Sequence, residues 1–309
     1  ESARRAAEIA VSGFHNILFI GPPGTGKTML AKRIPTIMPS LTFEESLELT
    51  KIYSIAGLLS SKRPLIKARP FRSPHHTSSS AALAGGGRIP GPGEVTLAHR
   101  GVLFLDEMPE FARGSLEVLR QPLEDKQIQL SRASGTYVFP AGFILVAAMN
   151  PCPCGYYPDM NKCRCTPGEV SHYLHKLSQP LLERIDLCAD VPPVNFSQIS
   201  GEKSGESSAL IRKRVEKARR IQQKRYQNEK ICFNGELSGK QIRKYCVLTE
   251  NAFQVAKNAF ELMELSARSY HRILKVSRTI ADMEGEELIH TRHVAEALTY
   301  KAFDKKYRS

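Results

Sequence analysis

One stretch of the chain decides the fold: Gly21-Pro22-Pro23-Gly24-Thr25-Gly26-Lys27-Thr28. An apolar run from Ile17 to Ile20 precedes this stretch, and a segment with a helical residue pattern, Met29 to Met38, follows it. A strand, a glycine-rich turn and a helix N-terminus in this order form the context of a P-loop. The stretch therefore predicts a binding site for nucleotide phosphates.

The residue types of this stretch suit phosphate binding. Glycines let the backbone wrap closely around a phosphate with its N–H groups pointing inward, and the helix dipole adds positive potential at the same place. Lys27 is expected to reach the β- and γ-phosphates, and the Thr28 hydroxyl to bind Mg²⁺. All eight residues, 21–28, are therefore predicted to bind the cofactor.

A second landmark is a strand that ends in two carboxylates, Asp106 and Glu107. Four apolar residues in a row, Val102 to Leu105, indicate a strand buried on both faces, as in a parallel sheet. Open α/β sheets bind their ligands at the carboxyl ends of the strands. We expect Asp106 to contribute to the Mg²⁺ site and Glu107 to polarise an attacking water.

A further buried strand is predicted from Phe143 to Met149, and Asn150 ends it. An amide at this end of a strand, beside Glu107, would orient the attacking water. The alternative is that Asn150 only starts a turn before Pro151.

Composition limits the classes of protein that fit. The 309 residues are enough for two domains, and an apolar content of 41% supports a packed core. No apolar run approaches the roughly 18 residues of a membrane span, so no membrane partner is expected. The net charge of +13 favours a polyanionic partner, although a merely soluble basic protein would also carry it.

Four of the seven cysteines lie in two close pairs, Cys152 with Cys154 and Cys163 with Cys165. Four thiolates so close in sequence can close a tetrahedral Zn²⁺ site. The alternative is a set of free thiols on an exposed loop, which would be prone to oxidation. Clustered cysteines also fit a reducing compartment better than a disulfide framework, so a cytoplasmic location is expected.

Residues 57–100 are rich in glycine, serine, proline and basic residues and show no regular pattern. So long an irregular insert in a compact domain is usually functional or disordered. His75 and His76 are interpreted as loop residues rather than as a metal pair. Arg72 and Arg88 are candidates for DNA contact.

Residues 126–140 have the alternating pattern of a β-hairpin. Polar and apolar residues alternate in 127–131 and in 136–139, and the residues between them supply a turn. Arg132 lies near the predicted tip and is a third candidate for DNA contact.

The order of these elements predicts three regions. Residues 1–193 form an α/β domain that contains the insert 57–100, the hairpin 126–140 and the cysteine loop 152–165. Residues 194–237 contain a linker and a long basic helix, whose charges are interpreted as a solvated face. The last region, 238–309, has helical patterns without a strand signal and is expected to be a small all-α domain.

The motifs GPPGTGKT, LFLDE and LLERID, with the strand that ends in Asn150 and the helical C-terminal region, resemble the AAA+ ATPases. The resemblance covers nearly the whole chain. Closer matches are FRSPHHTSSSAALAGGG, AAMNPCPCG and SARSYHRILKVSRTIAD, which resemble the magnesium-chelatase-like ComM (YifB) family of bacterial proteins. Members carry an N-terminal domain similar to that of Lon protease, so we expect this chain to be the ATPase portion.

The resemblance implies roles for residues outside the P-loop. Arg184 would be the arginine finger that reaches the ATP of a neighbouring subunit. Arg268 would be the sensor-2 arginine of the helical lid, with Arg272 as the weaker candidate for the same nucleotide contact. The insert 57–100 and the hairpin 126–140 would point into the channel of a ring, normally a homo-hexamer.

The main functional interpretation is therefore an ATP- and Mg²⁺-dependent DNA helicase. The resemblance implies branch migration on single-stranded or branched DNA during natural transformation. A second interpretation is the ATPase subunit of a chelatase that inserts a metal ion into a tetrapyrrole. A third is a nucleotide-switched scaffold without catalysis, which would require the loss of Lys27, Asp106 or Glu107, and all three are present.

Overall fold

The structure is a computed structural model that describes residues 1–60, 64–87, 90–132, 135–193 and 205–301, without the side chain of Arg132. The helices of the described residues are α1 (Ser2–Gly13), α2 (Lys27–Ile37), α3 (Phe43–Ile55), α4 (Ser80–Ala84), α5 (Glu94–Leu97), α6 (Arg113–Glu117), α7 (Arg120–Asp125), α8 (Pro167–His175), α9 (Gln179–Leu182), α10 (Ser208–Arg225), α11 (Gly239–Tyr245), α12 (Glu250–Leu262), α13 (Ala267–Glu284) and α14 (Thr291–Thr299). The strands are β1 (Ile17–Ile20), β2 (Phe71–Arg72), β3 (Gly85–Gly86), β4 (Gly91–Pro92), β5 (Val102–Leu105), β6 (Gln127–Arg132), β7 (Gly135–Pro140), β8 (Ile144–Met149) and β9 (Leu187–Asp190). Among these helices, none is both long and apolar enough to cross a lipid bilayer.

The central sheet has five parallel strands in the order β2-β5-β8-β1-β9. Strand β1 lies between β8 and β9, so that Ile17 is the partner of both Val146 and Leu187. The carboxyl ends of β1, β5 and β8 therefore meet at one edge of the sheet. The predicted fold class, a parallel α/β core followed by a helical domain, is confirmed.

Apolar side chains cover both faces of the sheet. Phe19 and Phe104 belong to the core on one face, whereas Leu18 and Leu103 belong to the core on the other. All four side chains are at most 1% exposed. Burial on both faces is the physical reason why these strands appear in the sequence as continuous apolar runs.

The helical region is packed directly against the α/β region. Helix α10 contacts α1, α2 and α13, and the core of one sheet face continues into this interface. At its centre the buried ring of His15, just after α1, lies 2.7 Å from the Thr279 hydroxyl of α13. The helical region is thus fixed to the α/β region by α1 and α10.

Asn16, which precedes β1, joins three strands at the amino edge of the sheet. Its side-chain oxygen accepts the Leu145 N–H at 2.9 Å, and its side-chain nitrogen donates to the Arg184 carbonyl at 2.8 Å. Its own N–H donates to the Asp186 carboxylate at 2.9 Å. Burial by itself raises the pKa of Asp186, but the interaction with His15 lowers it to about 2.

Two predictions about secondary structure are wrong in detail. The segment 57–100, predicted as irregular, contributes the edge strand β2 and the short elements α4, β3, β4 and α5. A two-residue strand is too short to show an alternating pattern, and it is stabilised by pairing with β5. The residues from about Arg113 to Glu124 have a helical pattern that predicts one helix, but the structure has two helices there, α6 and α7.

The interpretation of the basic helix as a solvated face is wrong for part of α10. Arg219 is 8% exposed, and its guanidinium lies 3.7 Å from the centroid of the Phe233 ring. Arg225 donates to the fully buried Asp282 carboxylate at 2.5 and 2.7 Å. These arginines join α10 to its neighbours and are not available to a ligand.

We predict that Asn16→Ala lowers the free energy of unfolding by about 2–4 kcal/mol, because the buried Leu145 N–H loses its acceptor and the Arg184 carbonyl its donor. Urea denaturation followed by circular dichroism measures this loss. Asn228→Ala, at an exposed position after α10, is the matched control and should change stability by less than about 0.5 kcal/mol. Equal stability of the two variants would contradict the role given to Asn16.

Candidate functional site

The predicted P-loop connects the carboxyl end of β1 to the start of α2. Gly24 and Gly26 have φ angles of 75° and 88°, and no atom lies within 4 Å of a Cβ built on either residue. A Cβ on Gly21 would lie 2.2 Å from the Val191 carbonyl oxygen. The loop is therefore open where a phosphate would enter and closed at its base.

Side chains of the loop brace it internally. The Thr25 hydroxyl donates to the Pro22 carbonyl at 2.9 Å. The Lys27 ammonium donates to the carbonyls of Gly21 and Pro22 at 2.7 and 2.8 Å. Burial lowers the pKa of Lys27, and the charges of Asp106 and Glu107 oppose that shift.

The residues predicted for Mg²⁺ lie together. The Thr28 hydroxyl donates to the Asp106 carboxylate at 2.7 Å, although the two residues come from α2 and from the end of β5. Mg²⁺ in nucleotide sites binds one or two protein oxygens together with phosphate oxygens and water. A hydroxyl and a carboxylate oxygen beside an open phosphate loop fit that donor set.

Glu107 and Asn150 lie beside this pair. The Lys27 ammonium donates to the side-chain oxygen of Asn150 at 3.1 Å, which joins the ends of β1 and β8. Glu107 has a left-handed backbone, with φ 50°, and its side chain is 63% exposed. Both Glu107 and Asn150 line a cavity of about 500 Å³. Five predicted residues from three strand ends therefore meet at one place: Lys27, Thr28, Asp106, Glu107 and Asn150.

The four clustered cysteines converge next to this site. Their sulfur atoms all lie within 4.8 Å of one another, with Cys152 3.4 Å from Cys154 and 3.8 Å from Cys163. Zinc bound at about 2.3 Å by four sulfurs in a tetrahedron requires sulfur separations of roughly 3.7 Å. The backbone N–H groups of Gly155 and Tyr157 also donate to the Cys152 sulfur, at 3.2 and 3.4 Å.

The cysteine loop forms a wall of the predicted nucleotide site. A Cβ built on Gly155 would lie 2.4 Å from the Pro23 ring, so this loop lies against the P-loop itself. Pro153 lines the same cavity as Glu107. Tyr173 of α8, the helix that follows the loop, lines the same cavity as Asn150.

Arg184 lies at the other edge of the sheet. Its carbonyl accepts a hydrogen bond from the side chain of Asn16, which precedes β1. The P-loop, in contrast, follows β1. The four-residue strand β1 separates the two edges by roughly 13 Å at about 3.3 Å per residue. The Arg184 guanidinium forms an ion pair with Glu124 and donates to the Pro180 carbonyl at 2.6 Å.

Arg268 lies with Arg184 and not with the P-loop of the same chain. It donates to the Glu124 carboxylate at 2.6 Å and lies 3.7 Å from Glu183. Burial raises the pKa of Glu124, but the two guanidinium groups outweigh that effect and lower it. Arg272 is buried and donates to the Leu182 carbonyl at 3.2 Å. Of the two lid arginines, Arg268 is therefore the one at the surface.

The candidates for DNA contact have different positions. Arg72 is bonded to both oxygens of Glu94, at 2.6 and 2.7 Å. Arg88 and the side chain of Arg132 lie outside the described residues. The predicted hairpin itself is confirmed, as β6 and β7 pair in register from Gln127 with Pro140 to Arg132 with Gly135.

Comparison with known proteins agrees with this geometry. A family model described as magnesium chelatase, subunit ChlI, matches residues 1–199, and the model of the C-terminal part of the same subunit matches residues 205–301. The chain belongs to this family. Membership supports an ATPase of the AAA+ type, with ATP and Mg²⁺ as cofactors.

The chain is also similar to bacterial relatives over nearly its whole length. It is 47% identical to the competence protein ComM of Haemophilus influenzae over 306 residues, 98% of this chain. It is 46% identical to YifB of Escherichia coli over 306 residues, 99% of this chain, and 44% identical to a Mycobacterium bovis protein over 300 residues, 97% of this chain. The resemblance to the ComM and YifB family is confirmed. The chain spans 58% to 59% of the length of these relatives.

Sequence reasoning missed three partners of the predicted residues. Glu124 forms ion pairs with Arg184 and Arg268, Tyr173 lines the cavity beside Asn150, and His76 lies beside Glu107. Of the three, only His76 has a signal in the sequence, because it stands next to His75 in a pair that we interpret as loop residues. The other two pairs join distant segments without a shared motif.

Proposed function

We propose that this chain is the ATPase part of a ring-shaped DNA motor, assembled as a homo-hexamer. It would drive branch migration of DNA during natural transformation and recombination. One observation carries the proposal: the nucleotide residues lie at the carboxyl edge of the sheet, and the arginines Arg184 and Arg268 at the other edge. Such a chain has two half-sites, and a complete site forms only where the half-sites of two neighbouring subunits meet.

Each residue at the carboxyl edge has one task in hydrolysis. Lys27 and the backbone of residues 21–26 hold the phosphates, and Thr28 with Asp106 would hold Mg²⁺, which neutralises phosphate charge when bound. Glu107 accepts a proton from the attacking water at a carboxylate oxygen. The Asn150 amide orients that water once the Lys27 ammonium turns towards the phosphates.

The arginines act on the neighbouring subunit. Arg184 stabilises the charge that spreads over the γ-phosphate in the transition state. Arg268 shares Glu124 with Arg184 and thus reaches the same nucleotide. Release of both from Glu124 accompanies assembly, because a guanidinium paired with that carboxylate has less charge to offer to a phosphate.

DNA is the proposed substrate for three reasons. The chain carries a net charge of +13. A relative with 47% identity is named a competence protein. The hairpin β6–β7 is exposed along β7, with Val138 53% exposed. Phosphate contact by Arg132 or Arg88 belongs to this proposal, whereas Arg72 is paired with Glu94 and is the weakest of the three candidates.

The second candidate function is the ATPase subunit of a metal-inserting chelatase. The description of the family model favours it. The nucleotide site would be the same, and DNA would have no effect on turnover. Both candidate functions are compatible with the proposed division of the chain into the regions 1–193, 194–237 and 238–309. Both are also compatible with the proposed cytoplasmic location.

We expect ATP turnover that single-stranded or branched DNA stimulates. Lys27→Ala should abolish nucleotide binding, since it removes the charge at the phosphates. Glu107→Gln should keep binding and reduce turnover by about 10²-fold or more, because an amide cannot accept the proton. Phosphate release assays and a fluorescent ATP analogue measure these effects.

Lys51→Ala and Glu44→Gln change exposed residues of α3 and are the matched controls. Turnover that is unaffected by DNA, with the same mutant effects, would favour the chelatase alternative. A Glu107→Gln variant with the wild-type rate would refute the assignment of the base.

Arg184→Ala should leave ATP binding intact and reduce turnover steeply. Mixing Arg184→Ala with Lys27→Ala subunits should restore hydrolysis, because the intact P-loop of one subunit then faces the intact arginine of the other. Native mass spectrometry verifies that the rings are mixed. Mixed rings without any recovery would show that Arg184 does not act on its neighbour.

We also propose that Cys152, Cys154, Cys163 and Cys165 bind Zn²⁺ and thereby order the wall of the nucleotide site. Sulfur separations of 3.4 to 3.8 Å among three of them support this. Zinc would act structurally, since four protein ligands leave no open position for a substrate.

Metal analysis of protein purified without chelator should give about one zinc per chain, the stoichiometry of a four-thiolate site. Cys163→Ser should lose the metal and raise the KM for ATP, because the loop would no longer support Pro23. Cys232→Ser, at an exposed position outside the cluster, is the control. Zinc-free protein with an unchanged KM would contradict the proposal.

A further inference from the structure

The segment after β2 runs alongside the end of β5. Arg72 is the partner of Leu103 in the parallel register of these strands. His76 follows Arg72 by the same number of residues as Glu107 follows Leu103. Strand pairing therefore brings His76 level with Glu107, although the chain after Arg72 is no longer part of β2.

The His76 imidazole contacts the Glu107 carboxylate. Its Nδ1 atom lies 4.0 Å from a Glu107 oxygen, with the two side chains 35% and 63% exposed. A pair with this exposure contributes little to stability. Hydrogen bonds of catalytic groups are often long before the substrate binds and shorten in the complex. The contact thus suits orientation of Glu107 better than support of the fold.

The ring of His76 is held from two sides. It packs on the His75 ring, with 4.1 Å between centroids, and its edge meets the buried Phe111 ring at 6.4 Å. His75 is itself fixed, because its Nδ1 atom lies 2.9 Å from the Thr77 hydroxyl. The direction in which His76 presents its nitrogen is therefore set before Glu107 is engaged.

Glu107 needs such a partner. Its left-handed backbone and largely exposed side chain leave the carboxylate with several orientations. Glu107 lines the cavity next to Asn150, and His76 is not among the residues of that cavity. Because His76 approaches Glu107 from the side away from the cavity, one carboxylate oxygen stays free for the water. In other catalytic sites, too, a third group orients the base.

We propose that His76 is a positioning residue for hydrolysis: it donates through Nδ1 to Glu107 and fixes the carboxylate towards the attacking water. This rests on the proposed ATPase function. His76 belongs to the insert 57–100 and precedes α4, so a displacement of the insert would move the partner of Glu107. The insert then affects turnover without touching the nucleotide.

The test compares substitutions at His76 in the whole chain. His76→Ala and His76→Phe should lower kcat about tenfold and leave the KM for ATP unchanged. The expected loss is smaller than the whole contribution of a general base, because Glu107 itself remains in both variants. The phenyl ring of the second variant keeps the contact with Phe111 but has no nitrogen. His76→Asn places an amide N–H near the position of Nδ1 and should retain most of the activity. His76→Gln places it near Nε2 and should not.

A double-mutant cycle with Glu107→Gln separates this proposal from the function on which it rests. In the Glu107→Gln background, His76→Ala should cause no further loss. His175→Ala, at an exposed position of α8, is the control and should have wild-type kcat.

The His76 proposal is overturned if either His76→Ala or His76→Phe has the wild-type kcat. It is also overturned if His76→Ala lowers kcat by the same factor in the Glu107→Gln background as in the wild type. Wild-type turnover in Glu107→Gln alone, or no turnover in the wild type, overturns the assigned function as well. If His76→Ala does not fold, the comparison of Asn with Gln at this position decides: equal rates refute the role of Nδ1.

Discussion

The parallel sheet is the constraint on which the rest of the structure depends. Strand β1 carries the P-loop at its carboxyl end and Asn16 at its amino end, and parallel pairing places every neighbouring strand end at one edge or the other. The residues proposed to bind phosphate, metal and water thereby meet at one edge, and Arg184 and Arg268 lie at the other. Because a four-residue strand is rigid and buried on both faces, no local motion brings Arg184 to the P-loop of its own chain.

Two segments outside the sheet complete the carboxyl edge. The cysteine loop lies against Pro23 and is followed by α8, whose Tyr173 lines the same cavity as Asn150. On the other side, the segment after β2 places His76 beside Glu107. The proposed nucleotide site therefore lies between the cysteine loop and the segment that leads into the insert.

Much of this could be predicted from the sequence, where a local pattern has a single physical cause. Continuous apolar runs predict β5 and β8, because parallel strands are buried on both faces. The polar residues that end these runs, Asp106 and Asn150, are predicted as site residues. Strand β2 was missed because its stability comes from pairing with β5 and not from its own residues. The pairing of Glu124 with Arg184 and Arg268 was missed because the three residues come from separate segments.

The central claim is that one chain carries two incomplete halves of a catalytic site. ATP turnover per chain, measured across a dilution series together with the mass of the assembly, tests this claim most directly. Turnover should rise steeply as subunits associate and become constant once rings are complete, while nucleotide binding to dispersed chains persists. Turnover per chain that stays the same in dispersed and assembled protein would contradict the account, since a single chain would then contain every group that hydrolysis requires.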